Sequence, residues 1–341
     1  MKTLRVAVIG AGHMGRLHAR FYHELPGAAL TAVVDTDAER AQRVADEFGG
    51  KPTTDISTIL DAVDAVSVAV PTMHHASVAE PLIRAGVPTL IEKPLAGTVA
   101  EAKRLASLAR EYGTLVQVGH TERFNPVVRA IASMEVEPKF VEVHRISPFS
   151  FRSADIGAVF DIMIHDIDVL LHLVRDRVVQ VDAVGVNVLG PHEDIANARI
   201  RFAGGCVANL TASRLALKTE RKIRVFSREA YLSVDYQKKS GIAVKKDKNL
   251  DILQLAAERN AEDLSQLQAA DFGSMVHIEP LLVPADANPL RDELASFLAA
   301  VRGEAADGVS AEDGVAAVEL AHAICEAIGE HSWDGHDTVS E

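Results

Sequence analysis

Apolar residues fall into two rhythms along the 341-residue chain. Up to residue 120, short apolar runs at 4–9, 30–34, 65–70, 89–91 and 115–118 alternate with stretches of helical period, one through Leu17 and Phe21 and others spanning 38–48, 76–85 and 99–112. Apolar runs this short, closed by Gly, Pro and Asp, predict buried strands, and the 3.6-residue period predicts helices between them. Such alternation predicts a parallel sheet with right-handed crossovers. Past residue 122 the rhythm changes. A helix over 126–134, a strand over 140–146 and a helix over 160–174 lead into strands at 179–189, 196–202, 206–213, 222–227 and 230–235, with Ala203-Gly204-Gly205 as a hairpin turn. Strands joined by short turns predict a mostly antiparallel sheet. The expectation is an α/β chain of two domains, a doubly wound parallel sheet over 1–121 and an α+β domain over 122–341. Asn288 and Pro289 predict a capped start for a helix to 301, and a last helix follows over 311–328. The acidic stretch 247–274 fits a lid, an oligomer contact or a surface insertion, and the tail with Trp333 and His336 reads as loosely ordered.

Composition narrows the class. With 48% apolar and 24% charged residues the chain is of ordinary globular make-up, and its length favours two cores. A formal net charge of −13 opposes a polyanion, so no nucleic-acid partner is expected. Cys206 and Cys325 lie in different apolar surroundings, which supports neither a disulfide framework nor a cysteine zinc site and fits a reducing, cytoplasmic setting. No run reaches the roughly 18 apolar residues of a membrane span, and the first leads into glycines rather than a cleavage site. Neither an anchor nor a signal peptide is expected.

The first strand runs directly into Gly10-Ala11-Gly12-His13-Met14-Gly15 and a helical pattern through Leu17 and Phe21, and the second ends in Asp35, 20 residues beyond Gly15. Together these predict a dinucleotide site. Gly10 permits the tight turn, Gly12 lets the backbone approach a pyrophosphate, Gly15 lets the helix pack closely, and free amides at the helix start face the phosphates. Asp35 would accept both ribose hydroxyls and repel a 2′-phosphate, which favours NAD. Ligands of such sheets bind beyond the carboxyl ends of the strands. Those ends carry Pro71-Thr72 with His74 and His75, Glu92-Lys93-Pro94, and Gln117 with Gly119-His120, which should border one crevice. Pro94 restricts Lys93 to extended backbone, so its ammonium can be aimed at a substrate hydroxyl or a cofactor oxygen; the plainer reading is a loop lysine paired with Glu92.

Residues 160–173 set three aspartates and two histidines into an otherwise apolar stretch. Wound at about 100° per residue, Asp161, His165, Asp168 and His172 share an arc roughly 60° wide, and Asp166 falls on the apolar side. A narrow polar stripe on an apolar helix predicts a helix buried on most sides that presents one edge to a small polar cavity. Asp161 and His165 are neighbours at i, i+4. A carboxylate beside an imidazole selects its tautomer and strengthens it as a base, as oxidation of a hydroxyl requires. Asp168 and His172 would support them, and Asp166 would be structural. A metal site would need a further ligand from elsewhere, so none is expected; a satisfied hydrogen-bond network is the plain alternative. A Ser-His-Asp hydrolase has no GxSxG elbow to stand on.

The glycine motif, Pro71-Thr72 with His75, Glu92-Lys93-Pro94, and Asp161 with His165 together resemble the Gfo/Idh/MocA oxidoreductases. The resemblance implies an N-terminal Rossmann domain and a C-terminal α+β domain whose open sheet often mediates oligomer contacts, hence a homodimer or homotetramer. It implies NAD lying along Gly10, Gly12, His13, Met14, Gly15, Asp35, Pro71, Thr72, His75, Glu92 and Gln117. Lys93 would touch substrate and cofactor, His165 would be the acid/base, and Asp161 would orient substrate or histidine. Members differ over whether lysine or histidine takes the proton. A narrower similarity, over 119–126 and 145–152, is to the UDP-N-acetylglucosamine 3-dehydrogenase branch. It implies a nucleotide sugar oxidised at C3, whose ketone an aminotransferase converts to a 3-amino sugar for lipid A or other surface glycans. Arg123, Asn125, Arg145 and Arg152 would then lie on the substrate, since bidentate guanidinium groups hold diphosphates well, although each arginine fits a surface ion pair as readily. Another sugar or inositol dehydrogenase would not need the arginines. A redox-inactive dinucleotide sensor would not need Lys93, Asp161 and His165. The basic run 214–228 reads as a solvated sheet face.

Overall fold

A computed structural model describes residues 3–134, 136–149, 156–246, 276–281, 284 and 287–331. Arg152, the stretch 247–274, Trp333 and His336 lie outside the described residues. The chain forms two compact units that interleave along the sequence, one of 1–125, 159–171 and 286–329, the other of 126–158, 172–285 and 330–341.

The first unit is built on β1 (Leu4–Ile9), β2 (Ala28–Val34), β3 (Lys51–Thr53), β4 (Ala65–Val68), β5 (Thr89–Glu92) and β6 (Val116–Gly119), all parallel, in the order β3-β2-β1-β4-β5-β6. The order reverses between β1 and β4, the place where a doubly wound sheet opens a crevice at its carboxyl edge. Buried strands of this kind need cover on both faces. Among the described residues the helices are α1 (His13–Glu24), α2 (Ala38–Phe48), α3 (His75–Arg84), α4 (Val99–Tyr112), α5 (Pro126–Ala132), which belongs to the second unit, α6 (Ile164–Val174), α7 (Pro289–Val301) and α8 (Ala311–Glu330). One core joins Val6, Val8 and Val33 to Phe21 and Tyr22 of α1, Val44 of α2 and Leu294 and Phe297 of α7. The other joins Val66 and Ile91 to Leu82 of α3, Leu105 of α4 and Val318 of α8. The two C-terminal helices thus complete the layers of the N-terminal sheet. Asn288 caps α7 by accepting from the Arg291 amide at 3.2 Å, with Pro289 in its first turn, as the sequence predicts.

The second unit carries β7 (Phe140–Ile146), β8 (Val178–Val186), β9 (Ile195–Phe202), β10 (Val207–Ser213), β11 (Glu220–Phe226), β12 (Ala230–Asp235), β13 (Ser240–Lys246) and β14 (Val276–Pro280) in the order β14-β13-β12-β11-β7-β10-β9-β8. All neighbours are antiparallel except β7 and β10. Alternation along β7, β9 and β11 buries one face and leaves the other partly open. Arg214, expected on a solvated face, is instead buried: its Nε donates to Asp194 at 2.7 Å and its Nη1 to the Ile156 carbonyl at 2.6 Å. Asp194 also accepts from the amides of Val188 and Leu189, so one buried pair organises two loops.

Candidate active site

The glycine turn satisfies three different spatial demands. Gly10 sits at φ +94°, and a Cβ there would come within 2.5 Å of the Ala69 carbonyl oxygen. At Gly15 a Cβ would meet the Gly10 carbonyl oxygen at 1.6 Å, so only glycine lets α1 start this close to β1. At Gly12 nothing lies within 4 Å, and no side chain caps α1 there. Open space above an uncapped helix start is what a pyrophosphate requires. Asp35, at the end of β2, accepts from the Ala11 amide at 2.7 Å and the Asp37 amide at 2.9 Å, which ties the acid to the glycine turn. The residues present therefore fit a dinucleotide.

Further along the carboxyl edge, several named residues stand in supporting places. His75 bridges the Pro94 carbonyl through Nδ1 at 2.8 Å and the Val70 carbonyl through Nε2 at 3.0 Å, and burial lowers its pKa more than the two carbonyls raise it. Gln117 is buried beneath Gly308, where a Cβ would reach its side chain at 2.0 Å. Glu92 is 8% exposed and points inward, accepting from His18 Nε2 at 2.8 Å. Burial pushes its carboxyl up, but the His18 hydrogen bond and the nearby charges of His18 and Lys93 outweigh this and hold it below the usual range. His13 and Pro71 are exposed, and Met14 and Thr72 are half-buried.

Lys93 reaches from the end of β5 to the segment that enters α6, where Nζ donates to the Asp161 carbonyl at 2.7 Å. Here the structure departs from a straight helix: Val159–Met163 forms a wider π turn before α6 begins. Such turns recur at functional sites. Asp161 and His165, both half-buried, flank the junction. Phe160 packs edge-on against His322 of α8 at 4.9 Å. Asp168, 1% exposed, takes a fork from Arg123, Nε to Oδ2 at 2.7 Å and Nη2 to Oδ1 at 2.9 Å. Arg123 thereby braces α6 within the first unit. Asp166 is buried, in line with a structural place, and Asn125 donates to Glu122 at 3.0 Å. In the second unit Arg145 is buried on the covered sheet face, its guanidinium 5.6 Å from the centre of the Tyr236 ring.

Two residues of this neighbourhood, His18 and Glu293, were not singled out from sequence, and His120 was placed only at the crevice border. His18 and Glu293 sit inside helices whose apolar periods give no sign of a polar partner. Glu293, fully buried, accepts from Thr121 Oγ1 at 3.1 Å; burial and the nearby Glu92 charge raise its pKa well above the usual range. His120, 1% exposed, has no partner for either ring nitrogen among the described residues, and burial lowers its pKa.

Comparison with known proteins agrees with this fold. Residues 4–120 match the model of the Gfo/Idh/MocA oxidoreductase family, described as an NAD-binding Rossmann fold, and 137–233 match a C-terminal domain of the same family. The chain is 39% identical over 237 residues to UDP-N-acetylglucosamine 3-dehydrogenase of Acidithiobacillus ferrooxidans, covering 69% of this chain and 75% of that one. The solved structure of that enzyme superposes with a TM-score of 0.84 at 31% identity, covering 96% of this chain and 98% of that one. Inositol 2-dehydrogenase of Corynebacterium glutamicum is 33% identical over 192 residues, 53% of this chain and 57% of that protein.

Proposed function

The chain belongs to the Gfo/Idh/MocA oxidoreductases, NAD-dependent enzymes acting on CH–OH groups, and from that premise we propose that it oxidises C3 of UDP-N-acetylglucosamine to a ketone. What supports this reading is the Lys93 ammonium on the Asp161 carbonyl at the turn leading to His165, in a chain 39% identical to an enzyme of that activity. NAD, when bound, supplies the hydride acceptor. Gly10, Gly12 and Gly15 would seat its pyrophosphate and Asp35 its ribose. His165 takes the hydroxyl proton as a general base, with Asp161 orienting it. Lys93 donates to the same oxygen and stabilises the charge that builds there as the carbonyl forms. Arg123 braces α6 through Asp168, and by the narrower resemblance Asn125, Arg145 and Arg152 would be residues for the sugar nucleotide, whose diphosphate suits a guanidinium. The product is a ketone, so a reaction that consumes ketosugars, such as transamination, is the fitting next step. Two or four copies would associate through the open face of the second unit's sheet.

The test is NADH formation from purified protein, NAD and a panel of UDP-sugars, free sugars and inositols, with a ketone trap to draw the uphill oxidation forward. Turnover of UDP-N-acetylglucosamine above the rest is the expected result. Turnover of inositol or free glucose alone would overturn the substrate. His165→Ala should lower kcat by about 10²–10⁴-fold with a smaller change in KM.

A further inference from the structure

We propose that Glu92, clamped by His18 of α1, is a positioning residue: a buried anion held against Lys93 that keeps the lysine an ammonium and so leaves proton removal to His165. The inference rests on the sugar-oxidation reading only for the identity of the base.

The geometry is built for a fixed carboxylate. Every residue of β5 is buried, and Glu92 at its end turns into the protein instead of outward along the strand edge. Its Oε1 meets His18 Nε2 at 2.8 Å, and its Oε2 accepts the Lys93 amide at 3.3 Å. On the β6 side, a Cβ at Gly119 would lie 3.1 Å from the Cα, Cδ and Oε2 of Glu92, so the missing side chain at 119 is what makes room for the carboxyl. A group walled in this way cannot swing out to water when its charge is costly.

Among the surrounding charges, Glu92 is the carboxylate that acts with His18 and Lys93. Arg123 takes Asp168 in its fork and has Asp313 3.9 Å from the same guanidinium. Glu293, from α7, is raised by burial and by the Glu92 charge, whereas Glu92 is lowered, so of the two carboxyls Glu92 is the one that holds its charge more readily. Burial also favours the neutral rings of His75 from α3 and His120 after β6. Glu92 is left beside Lys93 with His18 as its hydrogen-bond donor. The Lys93 charge is among the causes that hold Glu92 low, and the same attraction acting in reverse favours the ammonium, which donates hydrogen bonds but accepts no proton. The Lys93 contact with a carbonyl, an acceptor only, is the pairing such a group makes.

The experiment titrates Lys93 directly, by NMR of the ¹³C-dimethylated protein, with Lys93→Arg assigning the resonance. No sugar or cofactor is needed. Glu92→Gln should weaken the proton affinity of Lys93 by roughly tenfold or more. His18→Phe should do the same, because Glu92 loses its donor and takes up a proton, and His18→Gln, which can donate, should restore it. Circular dichroism identifies any variant that fails to fold, and the His18 pair and Glu92→Gln each decide independently. A Lys93 titration unchanged in folded Glu92→Gln, or in folded His18→Phe, would overturn the proposal. A shifted Lys93 in a protein that oxidises no sugar would overturn the substrate reading alone.

Discussion

Glu293 is a carboxyl placed where charge is disfavoured, in the interior of α7 with Thr121 as hydrogen-bond donor and the Glu92 charge nearby. Its folded pKa is raised above the unfolded value of about 4.3. Above that pH the folded protein retains a proton that the unfolded chain has released, so stability falls as pH rises toward the folded pKa. Glu293→Gln keeps the shape and cannot ionise. We expect the variant to match the parent near pH 5 and to melt about 2–4 °C higher near pH 8.5, the equivalent of roughly 1 kcal/mol in a unit of this size. A gain that is the same at both pH values would contradict this linkage. The Arg123–Asp168 pair gives the complementary case. Asp168→Ala removes the buried carboxylate that takes the Arg123 fork and should cost about 1.5–3 kcal/mol in urea unfolding. None of these partnerships was legible in the sequence. His18 and Glu92 are 74 residues apart and Thr121 and Glu293 are 172 apart, and a polar residue on an amphipathic helix carries no mark of a distant partner.

At the scale of elements, legibility was much better wherever the backbone itself set the demand. The GxGxxG turn could be assigned glycine by glycine because each reason is steric and local, and the structure repeats those reasons as separations to neighbouring atoms. That permits a discriminating pair of variants. Gly12→Ala adds a methyl group into open space and should leave stability within about 0.5 kcal/mol while weakening NAD binding by roughly tenfold or more. Gly15→Ala drives a methyl group into the Gly10 carbonyl and should cost at least about 1–3 kcal/mol before any ligand is considered. Urea unfolding and calorimetric NAD titration separate the two effects; equal losses of stability would refute the assignment. The elements that escaped prediction have physical reasons too. β3 is Lys-Pro-Thr at a sheet edge, where a short polar strand needs no apolar run. The π turn at Val159–Met163 escaped because a wider turn has no sequence signature of its own; it alters the winding of the Asp161 segment, and Lys93 meets the Asp161 carbonyl in its middle.

For the whole molecule, we propose that the division of labour between sheets decides where copies of the chain would meet. The parallel sheet is covered by α1, α2 and α7 on one face and by α3, α4 and α8 on the other, so both its faces are buried among the described residues. The sheet of the second unit differs. Val141, Val143, Ile223, Val225 and Leu232 fill its covered face, while Phe140, Phe226 and Tyr231 line up across β7, β11 and β12 on the open one, with ring centroids 5.7 and 4.8 Å apart. Phe226 is 37% exposed, and Arg224 with Glu142 adds an ion pair beside it on the same face. An aromatic row rimmed by charge has the make-up of an interface core and its edge. Light scattering behind gel filtration should therefore give two or four chains for the parent. Phe226→Glu would set a carboxylate in the middle of the aromatic row, and burying it unpaired between two copies costs several kcal/mol. The variant should run as a monomer with its circular dichroism unchanged. The parent running as a monomer at micromolar concentration, or the variant keeping its oligomer, would show that copies do not meet through this face.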